Sequence, residues 1–242
     1  MKIIVLTTLY NAAAYLQRCL LSVQLQSYRN FLCYITDDLS TDNSLEIAAR
    51  FMFEDQRFIP VRNTEKLYQP GNYDQIIRNN ILINDMDICI EVDGDDWLPD
   101  AYTFERIYNL YRNPNVWIAN GSFIYHDGRP GFARPQSDVN NLRSSDFTAS
   151  HIRTWRAFLW RKIKQQDLKD PEGNFWKVAG DLSFMYPMLE MAGKEHYCFM
   201  PDINYIYNEA NPINDHKVDL SRVHKTAATI RQMPSYKPLT SS

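Results

Sequence analysis

Through residues 2–92, short runs rich in β-branched and apolar residues alternate with segments whose apolar residues recur at helical spacing. Residues 2–8 read as a strand, 12–25 as a helix and 31–36 as a strand. A helix over 43–53 follows, opened by Asp42 or Asn43, then a strand over 57–61, a helix over 73–83 and a strand over 87–92. Parallel strands need crossover connections of about this length. The pattern therefore predicts an α/β fold, a Rossmann-like, mostly parallel sheet flanked by helices. In such sheets ligands bind at the carboxyl ends of the strands. The polar stretches 7–11, 37–42 and 93–96 each follow a predicted strand, so the topology brings all of them to one edge.

After Asp96 the rhythm changes. A helix is expected over 99–111, a strand over 116–120, and Gly and Pro stand at hairpin spacing within 121–135. Residues 136–150 read as polar and mobile, 154–163 as an aromatic, basic helix and 167–173 as a turn-rich loop. A helix over 181–191 ends at Gly193, with strands over 196–200 and 203–207. The tail has a helical stretch from Val218, then Pro234, Pro238 and a Ser-rich end expected to fray.

With 242 residues, 45% of them hydrophobic, the chain can bury one sizeable core or form two small domains, and a single domain with a C-terminal extension is expected. A net charge of -3 and the lack of a long basic run argue against a nucleic-acid binder or an anionic membrane surface. Cys19, Cys33, Cys89 and Cys198 are widely spaced and mostly among apolar neighbours, the pattern of free buried thiols in a reducing compartment. The run at 3–6 is too short for a signal peptide, and no segment has the length of a transmembrane helix. The expectation is a soluble, cytoplasmic protein.

The chemistry concentrates at Glu91-Val-Asp-Gly-Asp-Asp-Trp, where Asp93, Asp95 and Asp96 directly follow an apolar run. Such a cluster can be an ordinary acidic turn. It also suits a hard divalent cation with oxygen ligands, Mn2+ or Mg2+, because unpaired carboxylates at a strand end are costly to desolvate.

Further motifs weigh against the plain turn. Residues 2–11 end in Tyr-Asn, Thr36-Asp37-Asp38-Leu39-Ser40-Thr41-Asp42-Asn43-Ser44 resembles an Asp-Asp-Gly-Ser-Thr-Asp-x-Ser loop, and Arg78-Asn79 resembles an Ala-Arg-Asn segment. Asp93-Gly94-Asp95-Asp96 resembles an Asp-x-Asp metal motif, and Gly180-Asp181-Leu182 a later Glu-Asp motif. In this order they resemble the family 2 glycosyltransferases, which have the A-type nucleotide-sugar transferase fold. The resemblance runs to about His216. It implies a catalytic domain over 1–216, with a nucleotide-sugar half to about residue 98 and an acceptor half beyond, and an extension over 217–242.

The resemblance also implies roles. Thr8, Tyr10 and Asp38 match residues that hold the donor's base, Arg78 one near the base or phosphates, Asp93 the aspartate facing ribose and metal. Asp95 matches the main metal ligand and Asp181 the general base. His216 is a candidate late ligand to metal or diphosphate, and Trp97 and Trp176, beside the metal and base motifs, are candidates for the acceptor site. For several of these positions plainer readings stand beside these. Tyr10 can pack on the first helix, Arg78 can pair with Asp74 four residues earlier, and Asp181 can cap its own helix. His151, Arg153 and Arg156 could touch phosphate or acceptor, but read more readily as a solvated basic face.

Leu39 stands where the family has Gly, and Gly180 where it has Glu. No Gln-x-x-Arg-Trp sequence of the processive synthases is found. The implied function is inverting, metal-assisted transfer from a nucleotide-diphosphate sugar, a UDP-sugar by preference, to a glycan or other hydroxyl acceptor. The alternatives are a sugar-nucleotide nucleotidyltransferase, which would carry a Gly-rich loop where residues 7–14 have no Gly, and a non-catalytic sugar-binding domain of the same fold.

Overall fold

A computed structural model describes every residue except 137–140, 215–216, 218 and 241–242. Its strands are β1 (Ile3–Leu9), β2 (Phe31–Asp37), β3 (Phe58–Arg62), β4 (Ile88–Glu91), β5 (Ile118–Tyr125), β6 (Arg153–Arg156) and β7 (Tyr197–Tyr207). The helices are α1 (Ala13–Gln24), α2 (Ser44–Glu54), α3 (Tyr68–Ile77), α4 (Thr103–Tyr111), α5 (Ala157–Lys162), α6 (Gly180–Ala192) and α7 (Leu220–Arg231). The strands form one sheet in the order β3-β2-β1-β4-β6-β5-β7. β1 runs parallel to β2 and β4, β2 to β3, and β5 to β7, while β6 is antiparallel to both of its neighbours.

Helices cover both faces, so β1 is apolar on both from Ile3 to Leu6 rather than alternating with polar residues. Ile3 and Val5 face a core shared with Leu16, Leu20 and Phe51 of α1 and α2. Ile4 and Leu6 face the opposite core, with Tyr73, Trp155, Trp160 and Phe184. β1 lies between β2 and β4 in register, Leu9 opposite Asp37 and Leu6 opposite Glu91. The loops after these strands therefore leave the sheet side by side, as their order in the sequence suggests.

Departures from local expectation have tertiary causes. Helix α3 begins at Tyr68, not at 73, because Pro70 is tolerated in a first turn and a carboxylate from another loop caps the helix. The stretch expected as one helix over 154–163 splits into β6 and α5, since β4 and β5 both offer ladder partners to Arg153–Arg156. The two strands expected over 196–207 are one, β7, with irregular pairing opposite Gly121 to Phe123 that accommodates Pro201. Within 136–150, Leu142 and Ala149 are buried and the side chain of Gln136 bonds to Thr148 and Asp146. The segment around Ile230 to Leu239 docks on the core, while the Ser-rich end expected to fray, at 241–242, lies outside the described residues. Ile230 is buried, and Tyr236 donates its backbone N–H to Glu190 and its hydroxyl to Asp167. Among the described residues no helix is long and apolar enough to cross a membrane, and all four cysteines are free.

Candidate active site

The loops after β1 and β2 hold each other through side chains. Asn11 accepts the Thr41 N–H at 2.8 Å, and Ser40 accepts the Asn11 N–H at 2.9 Å. Asp42 takes the N–H groups of Ala13 and Ser44, both at 3.0 Å, so one carboxylate starts α1 and α2 together. Leu39, at the position of the family's Gly, keeps the left-handed backbone with φ 64. Asn11, Tyr68 and Ala179 also have positive φ, and all of them border the same cleft or its loops.

Asp38 is buried and accepts from Asn63 Nδ2 at 2.7 Å, Leu67 N at 2.9 Å and Tyr68 N at 3.0 Å. It thus caps α3, two elements away in the chain, rather than the helix that follows it. Oδ2 takes a single donor, Tyr68 N, and has capacity left for a ligand N–H. Beside it Lys66 donates to the Asp38 carbonyl at 2.5 Å and lies 3.0 Å from the centre of the Tyr10 ring. The Thr8 hydroxyl is buried and has no partner among the described residues.

The acidic loop is pressed against β1. A Cβ on Gly94 would stand 2.8 Å from Leu9 Cβ and 3.2 Å from the Thr8 carbonyl, so no side chain fits there. The aspartates divide their work. Asp96 is fixed structurally, accepting from the Tyr205 hydroxyl at 2.7 Å and Asn208 N at 2.6 Å. Asp95 accepts from Asn211 Nδ2 at 2.6 Å. Burial, followed by the charges of Glu91, Asp96 and Asp95, pushes the Asp93 carboxyl well above the usual carboxylate range. Burial likewise raises Asp95, with the Asn211 hydrogen bond opposing.

Beneath the loop, fully buried Glu91 accepts from Arg153 Nη1 at 2.6 Å, and Arg153 Nη2 donates to Asp181 Oδ2, also at 2.6 Å. Asp181 sits at the start of α6, its Oδ1 accepting the Leu182 N–H at 3.0 Å. The Gly at 180 has a packing reason, since a Cβ would meet Cγ and Cδ of Pro70 at 2.8 Å. His151 stacks on Tyr205, ring centroids 4.5 Å apart, with Nδ1 3.9 Å from Glu91. Glu91, Asp93 and His151 offer ligand atoms within 4.8 Å of one another.

A cleft of about 1040 Å³ opens at this edge, and Thr8, Tyr10, Asp38, Asp93, Asp95 and Asp181 all line it. Arg78 does not. Its guanidinium pairs with Asp74 at 2.7 Å and with the Ile163 carbonyl, the plain helical pairing noted from the sequence. Trp97 is buried under Arg18, whose Cζ lies 3.4 Å from the ring centre, and Trp176 is buried with its indole N–H on the Asp167 carbonyl. Both are buried, and neither lines the cleft. His216 lies outside the described residues. The basic-face reading of His151, Arg153 and Arg156 is corrected, for all of them are buried and the first two line the cleft. Glu91, and Gln69, whose side-chain amide donates to Glu91 at 3.1 Å and to Asp93 at 3.4 Å, are not singled out in the sequence. Arg153-Thr154-Trp155-Arg156 does not alternate between apolar and polar, so the sequence held no period-2 signal for a strand that carries Arg153 inward.

The family model for glycosyl transferase family 2 matches residues 4–177. Glycosyltransferase GlyG of Streptococcus pneumoniae is 23% identical over 215 residues, which cover 89% of this chain and 61% of that protein. Glycosyltransferase GlyA of the same organism is 31% identical over 132 residues, covering 50% of this chain and 17% of that one. The chain thus spans less than two thirds of either relative. Residues 1–349 of S. aureus TarS in complex with UDP-GlcNAc superpose with a TM-score of 0.67 at 16% identity, covering 95% of this chain and 66% of that one. Glucosyl-3-phosphoglycerate synthase from Mycobacterium tuberculosis, with Mn2+, UDP and its product, gives 0.65 at 12% identity, covering 97% and 81%. These structures share the fold. With the family model matched over most of the chain, the protein belongs to glycosyl transferase family 2.

Proposed function

We propose that this glycosyltransferase moves a sugar, with inversion, from a nucleotide-diphosphate donor of the UDP class to an acceptor hydroxyl, assisted by Mn2+ or Mg2+. The observation that carries this reading is that Asp93, Asp95 and Asp181 line one cleft with Thr8, Tyr10 and Asp38.

The donor set fits a hard divalent cation. Asp93 and Asp95 offer oxygen ligands, and the surplus of negative charge around Asp93 is offset in the protein chiefly by Arg153. Asp93 and Asp95 would hold the ion. Glu91 is the poorer ligand, since Arg153 already pairs with it at 2.6 Å. Bound there, a divalent cation neutralises charge on the departing diphosphate.

Asp38 would accept a ring N–H of the base through Oδ2, and the unpartnered Thr8 hydroxyl would meet a second polar atom of the donor. Asp181 would take the proton of the acceptor hydroxyl as its oxygen bonds to the anomeric carbon and the bond to the diphosphate breaks. One such displacement inverts the anomeric centre. Lys66, Lys177 and Arg222 on the cleft wall balance the donor's remaining charge.

A thermal-shift screen of UDP- and GDP-sugars with and without Mn2+ tests this. A UDP-sugar at 100 times its Kd should add about 2.7 kcal/mol of stability, and Mn2+ should strengthen it. Asp95→Ala should remove the Mn2+ dependence. Asp181→Asn should retain donor binding while transfer falls to a small residual rate. Absence of any stabilisation by the screened sugars would sink the reading.

A further inference from the structure

Arg153 reaches carboxylates from two separate parts of the fold, Glu91 at the end of β4 and Asp181 in the first turn of α6, each at 2.6 Å. We propose that Arg153 is a positioning residue for the transfer reaction. Anchored on buried Glu91, it fixes the Asp181 carboxylate at the edge of the cleft in the orientation from which it takes the acceptor's proton. The inference rests on Asp181 as the base and adds Arg153 and Glu91 to it.

The sheet register makes the bridge rigid. Ile90 pairs with Thr154 in the antiparallel β4–β6 ladder, which brings Glu91 and Arg153 together one step beyond. A guanidinium is a planar fork, so one arm held by Glu91 sets the direction of the other. Exposure rises outward along the bridge, the side chains of Glu91, Arg153 and Asp181 being 0%, 6% and 25% exposed.

A purely structural ion pair would end at Glu91, whose single charge balances that of Arg153. The second arm instead goes to a carboxylate on the cleft wall. Asp181 Oδ1 is held by its own Leu182 N–H, so each oxygen has one fixed donor and the carboxylate plane is set. Nε of Arg153 has no partner among the described residues, so the bonds of this side chain go to the two carboxylates. Ala179 at φ 50 and the contact of Gly180 with Pro70 fix the other side of Asp181.

The test is a double-mutant cycle of Arg153→Met and Asp181→Asn, using the UDP-sugar that most raises the wild-type melting temperature and reading turnover as UDP release. Arg153→Met should lower kcat about 100-fold with donor KM within about threefold of wild type. At saturating Mn2+, UDP affinity by calorimetry should likewise stay within about threefold of wild type. In the Asp181→Asn background the same substitution should cost less than about threefold, because the group it positions is already gone.

Wild-type kcat in Arg153→Met, or losses that multiply in the double variant, would overturn the positioning role while leaving Asp181 as the base. Full turnover in Asp181→Asn would instead remove the base assignment and the proposal with it. Arg153→Lys carries the cycle if Arg153→Met does not fold. One ammonium keeps the charge beside Glu91 but cannot fork to both carboxylates, so kcat should fall about tenfold with UDP binding intact.

Discussion

The hydroxyl of Tyr205 donates to Asp96 at 2.7 Å, tying β7 to the acidic loop across 109 residues of sequence. The same oxygen accepts the backbone N–H of Asp93 at 3.1 Å, so one phenol fixes both ends of the Asp93–Asp96 segment. Asp96 is thereby a support for the loop whose other aspartates, Asp93 and Asp95, line the cleft.

Tyr205→Phe should leave a buried carboxylate oxygen and a backbone N–H without this partner. The expected loss is about 1–3 kcal/mol of stability. Urea unfolding of the two proteins checks it, and an unchanged midpoint would show that the loop holds without the phenol.

Gly180→Glu, which restores the acid usual in the family, should destabilise this chain. The new Cβ would lie 2.8 Å from the Pro70 ring, and a proline ring cannot rotate away. Overpacking of this kind costs about 1–3 kcal/mol. A melting temperature equal to wild type would mean that α6 shifts freely relative to α3.

Arg78→Ala should leave donor affinity as it is. The side chain holds Asp74, which also accepts from Trp160 Nε1 at 3.0 Å and Gln165 Nε2 at 2.7 Å. Loss of the charged bond should lower stability by about 1.5–3 kcal/mol. A weakened Kd for UDP at constant stability would return Arg78 to the donor site.

The imidazole of His151 is held well below its usual pKa, first by burial and then by the Arg153 charge. In the unfolded chain it takes a proton below about pH 6.5, whereas the folded protein keeps it neutral. Unfolding then binds more protons than folding, so the histidine's contribution to stability is present above that pH and lost as the pH falls. The slope is up to about 1.4 kcal/mol per pH unit. His151→Phe keeps a ring against Tyr205 and should flatten the curve between pH 7 and 5. The same acid slope in both proteins would assign it to other groups.

The sequence determined the α/β class, the order of β1 to β4 and the edge on which Tyr10, Asp38 and Asp93 meet. Those features follow from local periodicity, from helices too long for anything but crossovers, and from strand ends adjacent in a parallel sheet. Asp95 and Asp181 are singled out by the resemblance of their motifs to the family's Asp-x-Asp and Glu-Asp sequences, and both line the cleft. Only the tertiary structure decided which charged residues turn inward. The β4–β6 ladder joins Glu91 to Arg153 across 62 residues, and α6 brings Asp181 to the same guanidinium across another 28. No local pattern encodes those distances. An arginine in a strand buried on both faces and one on a solvated helix read alike until register gives the first its carboxylate partners. The same holds for Trp97, which packs under Arg18, 79 residues earlier in the chain.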